Sequence, residues 1–331
     1  MASQHVHTWL IQSGSNPAIL QSHLLPQSKR LTSIATLTDD SDVLNFLTLL
    51  YKHQLCKVPW ENLTQHYSWH RTVNVKPQHL FTKIVHSPGR GGYCMEANHF
   101  FHTVLISLGF DVRMAGARIY KGESFYGGWT HVVNIVTIAG TKYLLDGGFG
   151  PQAPPRPCLV EEGLVQTQIA PAQMRVMYEC IDEFRDKTQR IWIYQHRKDD
   201  HSDWQPMYCF SDMEFTSNDV QAMNFAPWLN PQSFFSHQVV GVRFTTDKEP
   251  LEYPRSPDAQ ALEGEIDGAL TLDGNTLKWR RGGEKVLDLT FEKEEQRVEA
   301  LGKYFGIVLE EEDREAIKGT AAEVAAKGVK G

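Results

Sequence analysis

The chain has 331 residues, a formal charge of −7 and a sequence pI near 6.1, so it lacks the basic footprint of a protein that binds nucleic acid or an anionic membrane. Hydrophobic residues make up 41% and aromatics 11%, enough for a buried core, and no apolar run is long enough to span a bilayer. Five cysteines (56, 94, 158, 180 and 209) are an odd number without a C-x-x-C pair, which argues against a disulfide scaffold or a zinc cluster. The polar start, Met1 to Trp9, has no basic patch and apolar core of a secretory signal, and the expectation is a cytosolic protein of about two domains.

The first ninety residues read mostly as helix. Asp39-Asp40-Ser41 supplies caps for an amphipathic stripe through Val43, Leu44, Phe46, Leu47, Leu50 and Tyr51. Pro59 ends that helix and opens Pro59-Trp60-Glu61-Asn62-Leu63, a turn into a short segment. Pro88, Gly89, Gly91 and Gly92 then forbid a regular element before Cys94. From Cys94 the apolar positions Ala97, Phe101, Val104 or Leu105 and Leu108 recur at helical steps, and Gly109 stands at the stop. Cys94 therefore falls at a helix mouth, where free N–H groups and the dipole favour an anion and activate a thiol. Its bland alternative is a small apolar residue that opens a buried helix.

Beyond Gly109 the period shifts to two. Strands are predicted over Val112–Ile119, Thr130–Ile138, Tyr143–Asp146, Met174–Glu179, Ile191–His196 and Pro206–Phe210. Pro151, Pro154, Pro155 and Pro157 mark an irregular connection, and Asp199 to Asp203 a solvated turn. An antiparallel sheet or barrel is the economical reading. Thr216 to Asp219 caps a short helix through Val220 and Met223 that Pro227 and Pro231 interrupt. Val239–Thr245, Ala269–Leu272 and Leu277–Arg280 read as strands, with Asp273-Gly274-Asn275 as a hairpin turn. A C-terminal helix is predicted over Glu292–Tyr304, and residues after Ile317 as a frayed tail.

His131 opens one apolar strand and Asp146 closes the next, with a tight turn near Ala139-Gly140 between them. In an even-length hairpin, centring the loop between Ile138 and Ala139 sets His131 opposite Asp146. Centring it between Ala139 and Gly140 leaves the two diagonal on one face. In either register the carboxylate reaches the imidazole, whose other nitrogen is left for a thiol. Singly, His131 is a half-buried strand residue and Asp146 a turn residue; with Cys94 they form a Cys-His-Asp set suited to acyl transfer.

These residues resemble the arylamine N-acetyltransferase family. Arg90 to Glu96 matches its R-G-G-x-C pattern, with an acidic residue two places after the cysteine. Val58-Pro59-Trp60-Glu61-Asn62-Leu63 is similar to V-P-F-E-N-L, Thr130-His131-Val132-Val133 to T-H-φ-φ, and Asp146 to Gly150 to D-G-G-F-G. Met223-Asn224 and Asn230 to Phe235 resemble a further family segment, and the likeness runs from about residue 20 to 306. It implies an α+β fold with a cysteine-protease-like core: a helical bundle carrying Cys94 (1–108), an antiparallel β-barrel carrying His131 and Asp146 (109–212), and an α/β lid with a tail (213–331). It implies ping-pong chemistry in which Cys94 accepts an acetyl group from acetyl-CoA, the co-substrate, and passes it to an arylamine, hydrazine or arylhydroxylamine. Propionyl- or malonyl-CoA is the alternative donor. No permanently bound cofactor, metal, nucleic acid or membrane is implied.

The same resemblance assigns Gly127, Gly128 and Ser233 to coenzyme A, and Trp60, Tyr120 and Phe149 to the amine pocket. Arg90 is expected to brace Glu61 rather than to grip a CoA phosphate. Met95, Thr64 and the loop Gly122 to Tyr126 depart from the family pattern, and the segment after Phe305 implies a eukaryotic, fungal-type member. A transglutaminase or papain-like thiol enzyme shares a Cys-His-Asp set, and a non-catalytic amine or CoA binder shares the fold; donor choice and the need for Cys94 separate them.

Overall fold

Asp39 starts the first long helix by accepting the Asp42 N–H at 2.8 Å, and Val58 caps its end just before Pro59. This helix, α1 (Asp40–Lys57), belongs to a computed structural model that describes residues 17–87, 89–123, 125–251 and 257–324. Pro88, Ser124 and residues 325–331, each part of an expectation above, lie outside the described residues. Helix α2 (Pro77–His86) has proline in its first turn, where no N–H is needed, and α3 (Cys94–Leu108) stops at Gly109 with φ of 89°. Between Lys57 and Pro77 there is less helix than expected: a two-residue strand, β1 (Trp60–Glu61), and one turn over Leu63–His66.

The central strands are β2 (Asp111–Ile119), β3 (His131–Ile138), β4 (Thr141–Leu145), β5 (Cys158–Leu159), β6 (Gln166–Thr167), β7 (Gln173–Glu179), β8 (Ile191–Arg197) and β9 (Gln205–Phe210). They form one antiparallel sheet in the order β5-β4-β3-β2-β9-β8-β7-β6. The Gln166 side chain bonds both the N–H and the carbonyl of Leu159, drawing the two edge strands together into a nearly closed barrel. Inward residues such as Val133, Ile135, Val176, Tyr194 and Tyr208 fill it. Ala139 and Gly140 both take positive φ, so the β3–β4 connection is the two-residue turn that matches strand twist. The register is Ile138↔Thr141 through Asn134↔Leu145, which is the diagonal alternative.

The second sheet runs β1-β10-β11-β12-β13, with β10 (Val240–Thr246), β11 (Ile266–Asp273), β12 (Thr276–Arg281) and β13 (Glu284–Thr290). Sequence patterning missed β13, because this edge strand is largely exposed and alternates only through Leu287 and Leu289. It missed β1 because two residues carry no period; Trp60↔Val242 and Glu61↔Gly241 pairing alone defines it.

Two helical expectations need correction. Helix α4 (Ser217–Leu229), capped by Thr216 and Asp219, runs through Pro227 instead of breaking there. Pro227 forfeits one backbone bond near the end of the helix, where it is buried. Helix α5 (Glu294–Ala300) is shorter than predicted and passes into a wider turn over Leu301–Phe305 that Gly306 closes at φ of 70°. Past helix α6 (Glu311–Ala316) the chain does not fray at once. Ile317 and Ala322 are buried beside Trp279 and Leu301, the Ala322 carbonyl accepts from Arg297 at 2.8 Å, and Val324 N–H donates to Glu294 at 2.9 Å. Composition alone cannot reveal such docking.

One core joins the layers. Leu47 and Leu50 of α1, Phe101, Val104 and Leu105 of α3, Val136 of β3, Leu145 of β4 and Val242 of β10 share a single buried cluster. Each fully buried Leu or Val contributes about 1.5–3 kcal/mol, so α3 is fixed against both sheets by its apolar face. That fixes where its first residue points.

Candidate active site

Cys94 is the first residue of α3 and only 4% exposed. The loop before it reaches this place by passing very close to the residue that precedes β1. A β-carbon at Gly91 would lie 1.9 Å from the Pro59 carbonyl oxygen, and Gly92 N–H donates to that oxygen at 3.2 Å. Only glycine fits at position 91.

A buried set of four charges underlies the loop. Arg90 Nε donates to Glu61 Oε1 at 3.1 Å, as expected, and its Nη2 donates to Thr64 Oγ1 at 3.0 Å. Lys83 Nζ lies 2.8 Å from Glu96 Oε1 and 3.5 Å from Glu61 Oε1. Glu96, one of the first residues of α3, also accepts the Tyr93 N–H at 3.3 Å, capping the helix that carries Cys94. Burial pushes the Glu61 carboxyl upward, but Arg90 and Lys83 outweigh it and hold it at about 2. Burial raises Glu96, with Lys83 opposing. Lys83 was invisible in the sequence; a lone lysine on a predicted helix gives no sign of facing a carboxylate.

His131 opens β3 opposite Ala117 of β2, and Asp146 follows β4 directly. Both are buried, and His131 Nε2 lies 2.7 Å from Asp146 Oδ2. The Cys94 thiol is close enough to the imidazole to act on its charge, and Cys94 Sγ stands 3.7 Å from the Thr130 carbonyl oxygen. Burial works to lower the His131 pKa, but the Asp146 carboxylate and Cys94 together raise it to about 10. The arrangement therefore stabilises an imidazolium flanked by a carboxylate and a sulfur.

Two residues that the sequence reading did not assign to the site hold this geometry. Asn98 sits one turn after Cys94 on α3. Its Nδ2 donates to Asp146 Oδ1 at 2.9 Å and to the Val132 carbonyl at 2.7 Å, while its Oδ1 accepts Gly147 N–H at 2.8 Å. One amide thus ties the cysteine helix, the histidine strand and the aspartate turn. Tyr51 of α1 accepts the Asp146 backbone N–H at 2.8 Å through its hydroxyl, which donates to Pro154 O. A polar residue in step with Cys94, Phe101 and Leu105 along the helix was the available signal for Asn98. For Tyr51, a tyrosine in an apolar stripe, there was none.

A cavity of about 540 Å³ opens above Cys94 and His131. Gly127, Gly128, Ser233, Trp60 and Phe149 all line it. Tyr120 does not: its neighbours Ile119 and Lys121 face the cavity, and the alternation of an extended chain turns Tyr120 the other way, onto Tyr126 at 5.2 Å between rings. Phe149 and Tyr208 pack against the His131 ring at 5.8 and 5.1 Å, so its apolar surroundings limit water. Phe235, which stacks on Tyr93 at 5.3 Å, forms part of the far wall.

The chain is similar to known proteins along most of its length. A family model described as N-acetyltransferase matches residues 43–251. N-malonyltransferase FDB2 of Fusarium pseudograminearum is 32% identical over 318 residues, covering 88% of each chain. The protein of the same name from Gibberella moniliformis is 30% identical over 292 residues, 83% of this chain and 81% of that one. Arylamine N-acetyltransferase 2 of Mus musculus is 26% identical over 280 residues, 81% of this chain and 88% of its own. Among solved structures, the arylamine N-acetyltransferase of Mycobacterium abscessus superposes with a TM-score of 0.70 at 21% identity, covering 92% and 94% of the two chains. That of Mycobacterium marinum in complex with CoA gives 0.66 at 24%, covering 88% and 96%.

Proposed function

The chain belongs to the arylamine N-acetyltransferase family and is an acyltransferase whose co-substrate is an acyl-CoA, and from that premise we propose ping-pong N-acyl transfer through a thioester on Cys94. The observation that carries the reading is the buried His131–Asp146 hydrogen bond, with His131 and Cys94 lining one cavity that opens outward. In the first half-reaction the proton shared by the Cys94 sulfur and His131 already rests on the imidazole, Cys94 Sγ attacks the thioester carbonyl, and the CoA sulfur leaves with that proton from His131. In the second, an arylamine, hydrazine or arylhydroxylamine attacks the Cys94 thioester. Its N–H proton moves to His131 as the new C–N bond forms and the Cys94 sulfur–carbon bond breaks, which restores the imidazolium beside the released sulfur. Asp146 stays ionised and holds the imidazole in place. Backbone N–H groups at the start of α3 are the candidates for binding the oxyanion.

In this reading the chain works in three parts, a helical part to residue 108, the barrel, and a C-terminal part from 213 that closes over the cavity with Ser233 and Phe235. Gly127, Gly128 and Ser233 contact coenzyme A, while Trp60 and Phe149 form the aromatic walls for the amine. The free state of all five cysteines supports a reducing, cytosolic setting. For the donor, the likeness to two fungal N-malonyltransferases favours malonyl-CoA as a second reading beside acetyl-CoA.

Intact mass measured after mixing with acetyl-CoA or malonyl-CoA, without amine, tests the proposal. One acyl group is expected on the wild type and none on Cys94→Ser. An unmodified wild type, or equal arylamine turnover by the serine variant, ends it.

A further inference from the structure

One cation in the cavity wall has no part in the transfer just described. Lys121 stands two residues past the end of β2 and lines the same cavity as Cys94 and His131, exposed to solvent. The chain doubles back here: Lys121 N–H donates to Phe125 O at 2.8 Å, Gly127 N–H donates to Ile119 O at 2.9 Å, and Tyr120 bridges to Tyr126. This short ladder lays the lysine stem against Gly127, where a β-carbon would stand 3.4 Å from Lys121 Cε. Among the described residues Lys121 has no ion-pair partner, and no aspartate or glutamate lines the cavity. The indole N–H of Trp60, in the same wall, is also buried without an acceptor among the described residues. A wall with an uncommitted ammonium, a raised imidazole and no carboxylate suits a negatively charged ligand group.

We propose that Lys121 is a specificity-determining residue that pairs with the free carboxylate of a dicarboxylic acyl group, of the malonyl class, while that group is delivered to Cys94. The inference rests on the acyl-transfer reading above and names the donor for it. An acyl-CoA carries a second source of negative charge in its phosphates. The site favours the carboxylate because Lys121 shares its cavity with the two residues that handle the acyl carbon. No bond changes at the distal carboxylate: the CoA sulfur–carbon bond breaks, the Cys94 sulfur–carbon bond forms, and the carboxylate stays ionised throughout.

The test compares kcat/KM for malonyl-CoA and acetyl-CoA, with one arylamine, on wild type, Lys121→Met and Lys121→Arg. We expect the methionine variant to lower the malonyl-to-acetyl ratio about tenfold or more, and arginine to restore most of it. An equal fall with both donors assigns the lysine to the CoA phosphates and overturns the proposal, as does an unchanged ratio. A wild type that turns over acetyl-CoA and rejects malonyl-CoA also overturns it, yet leaves acyl transfer standing. Turnover with neither donor removes the underlying reading instead.

Discussion

Gly148 and Cys94 meet backbone to backbone: a β-carbon on Gly148 would come within 2.5 Å of Cys94 Cα and 2.8 Å of its Cβ. The turn after Asp146 is thus seated directly on the residue proposed as nucleophile, and its distance from the cysteine helix is set by a missing side chain.

Gly148→Ala is expected to force the turn and helix apart and to cost about 1–3 kcal/mol, as overpacking in a dense core does. Acyl-enzyme formation, followed by mass, should slow far more than the fall in melting temperature implies, because the displaced turn carries Asp146. A wild-type acylation rate in a folded variant would show that the contact is dispensable.

Asn98→Leu keeps the volume of the side chain but removes its bonds to Asp146, Gly147 and Val132. Leaving the half-buried Gly147 N–H and part of the Asp146 carboxylate unpaired should cost about 1–3 kcal/mol. We expect kcat to fall about tenfold or more with an altered pH–rate profile, since Asn98 acts by positioning the carboxylate. A stability loss with an unmoved profile would reduce Asn98 to a structural residue.

The His131–Asp146 pair makes stability depend on pH. Folding raises the histidine from its ordinary value of 6.5 to about 10, so its contribution is fully present below about pH 6.5 and is lost as pH rises through about 10. Denaturation of wild type and Asp146→Asn across that range should show a gap that is large at pH 6 and shrinks at alkaline pH. A gap independent of pH would contradict the raised histidine.

Lys83→Met leaves Glu61 and Glu96 facing each other with Arg90 alone to balance them. The expected loss is about 3–5 kcal/mol, the usual consequence of unpairing a buried charge. Adding Glu96→Gln to this variant should recover much of it. Urea midpoints report both effects, and a double variant no better than the single one would exclude charge as the cause.

Much of the barrel was legible because β7 alternates buried and half-buried residues, while β3, buried on both faces, reads as an apolar run bounded by turn residues. The Cys94 helix was legible from its apolar repeat and from the glycine at its stop. Trp60–Glu61 as a strand was not, nor was the docking of Ala322, because neither rests on a local period. Tyr120 shows the limit within an element that was read correctly. A strand end and a turn decide which of two neighbouring residues faces the cavity, and the structure selects Lys121.

By itself the sequence determined which residue types could do acyl chemistry, the parity that sets His131 and Asp146 on one face, and the family motifs around Cys94. Tertiary structure decided between the two hairpin registers, by placing positive φ at Ala139 and Gly140. It brought Asn98, Tyr51 and Lys83 to the site, and it put Lys121 rather than Tyr120 in the cavity wall. The reason is physical: spacing along a helix or strand is fixed by local geometry. Contacts between residues far apart in sequence follow instead from how buried faces and paired charges close on one another.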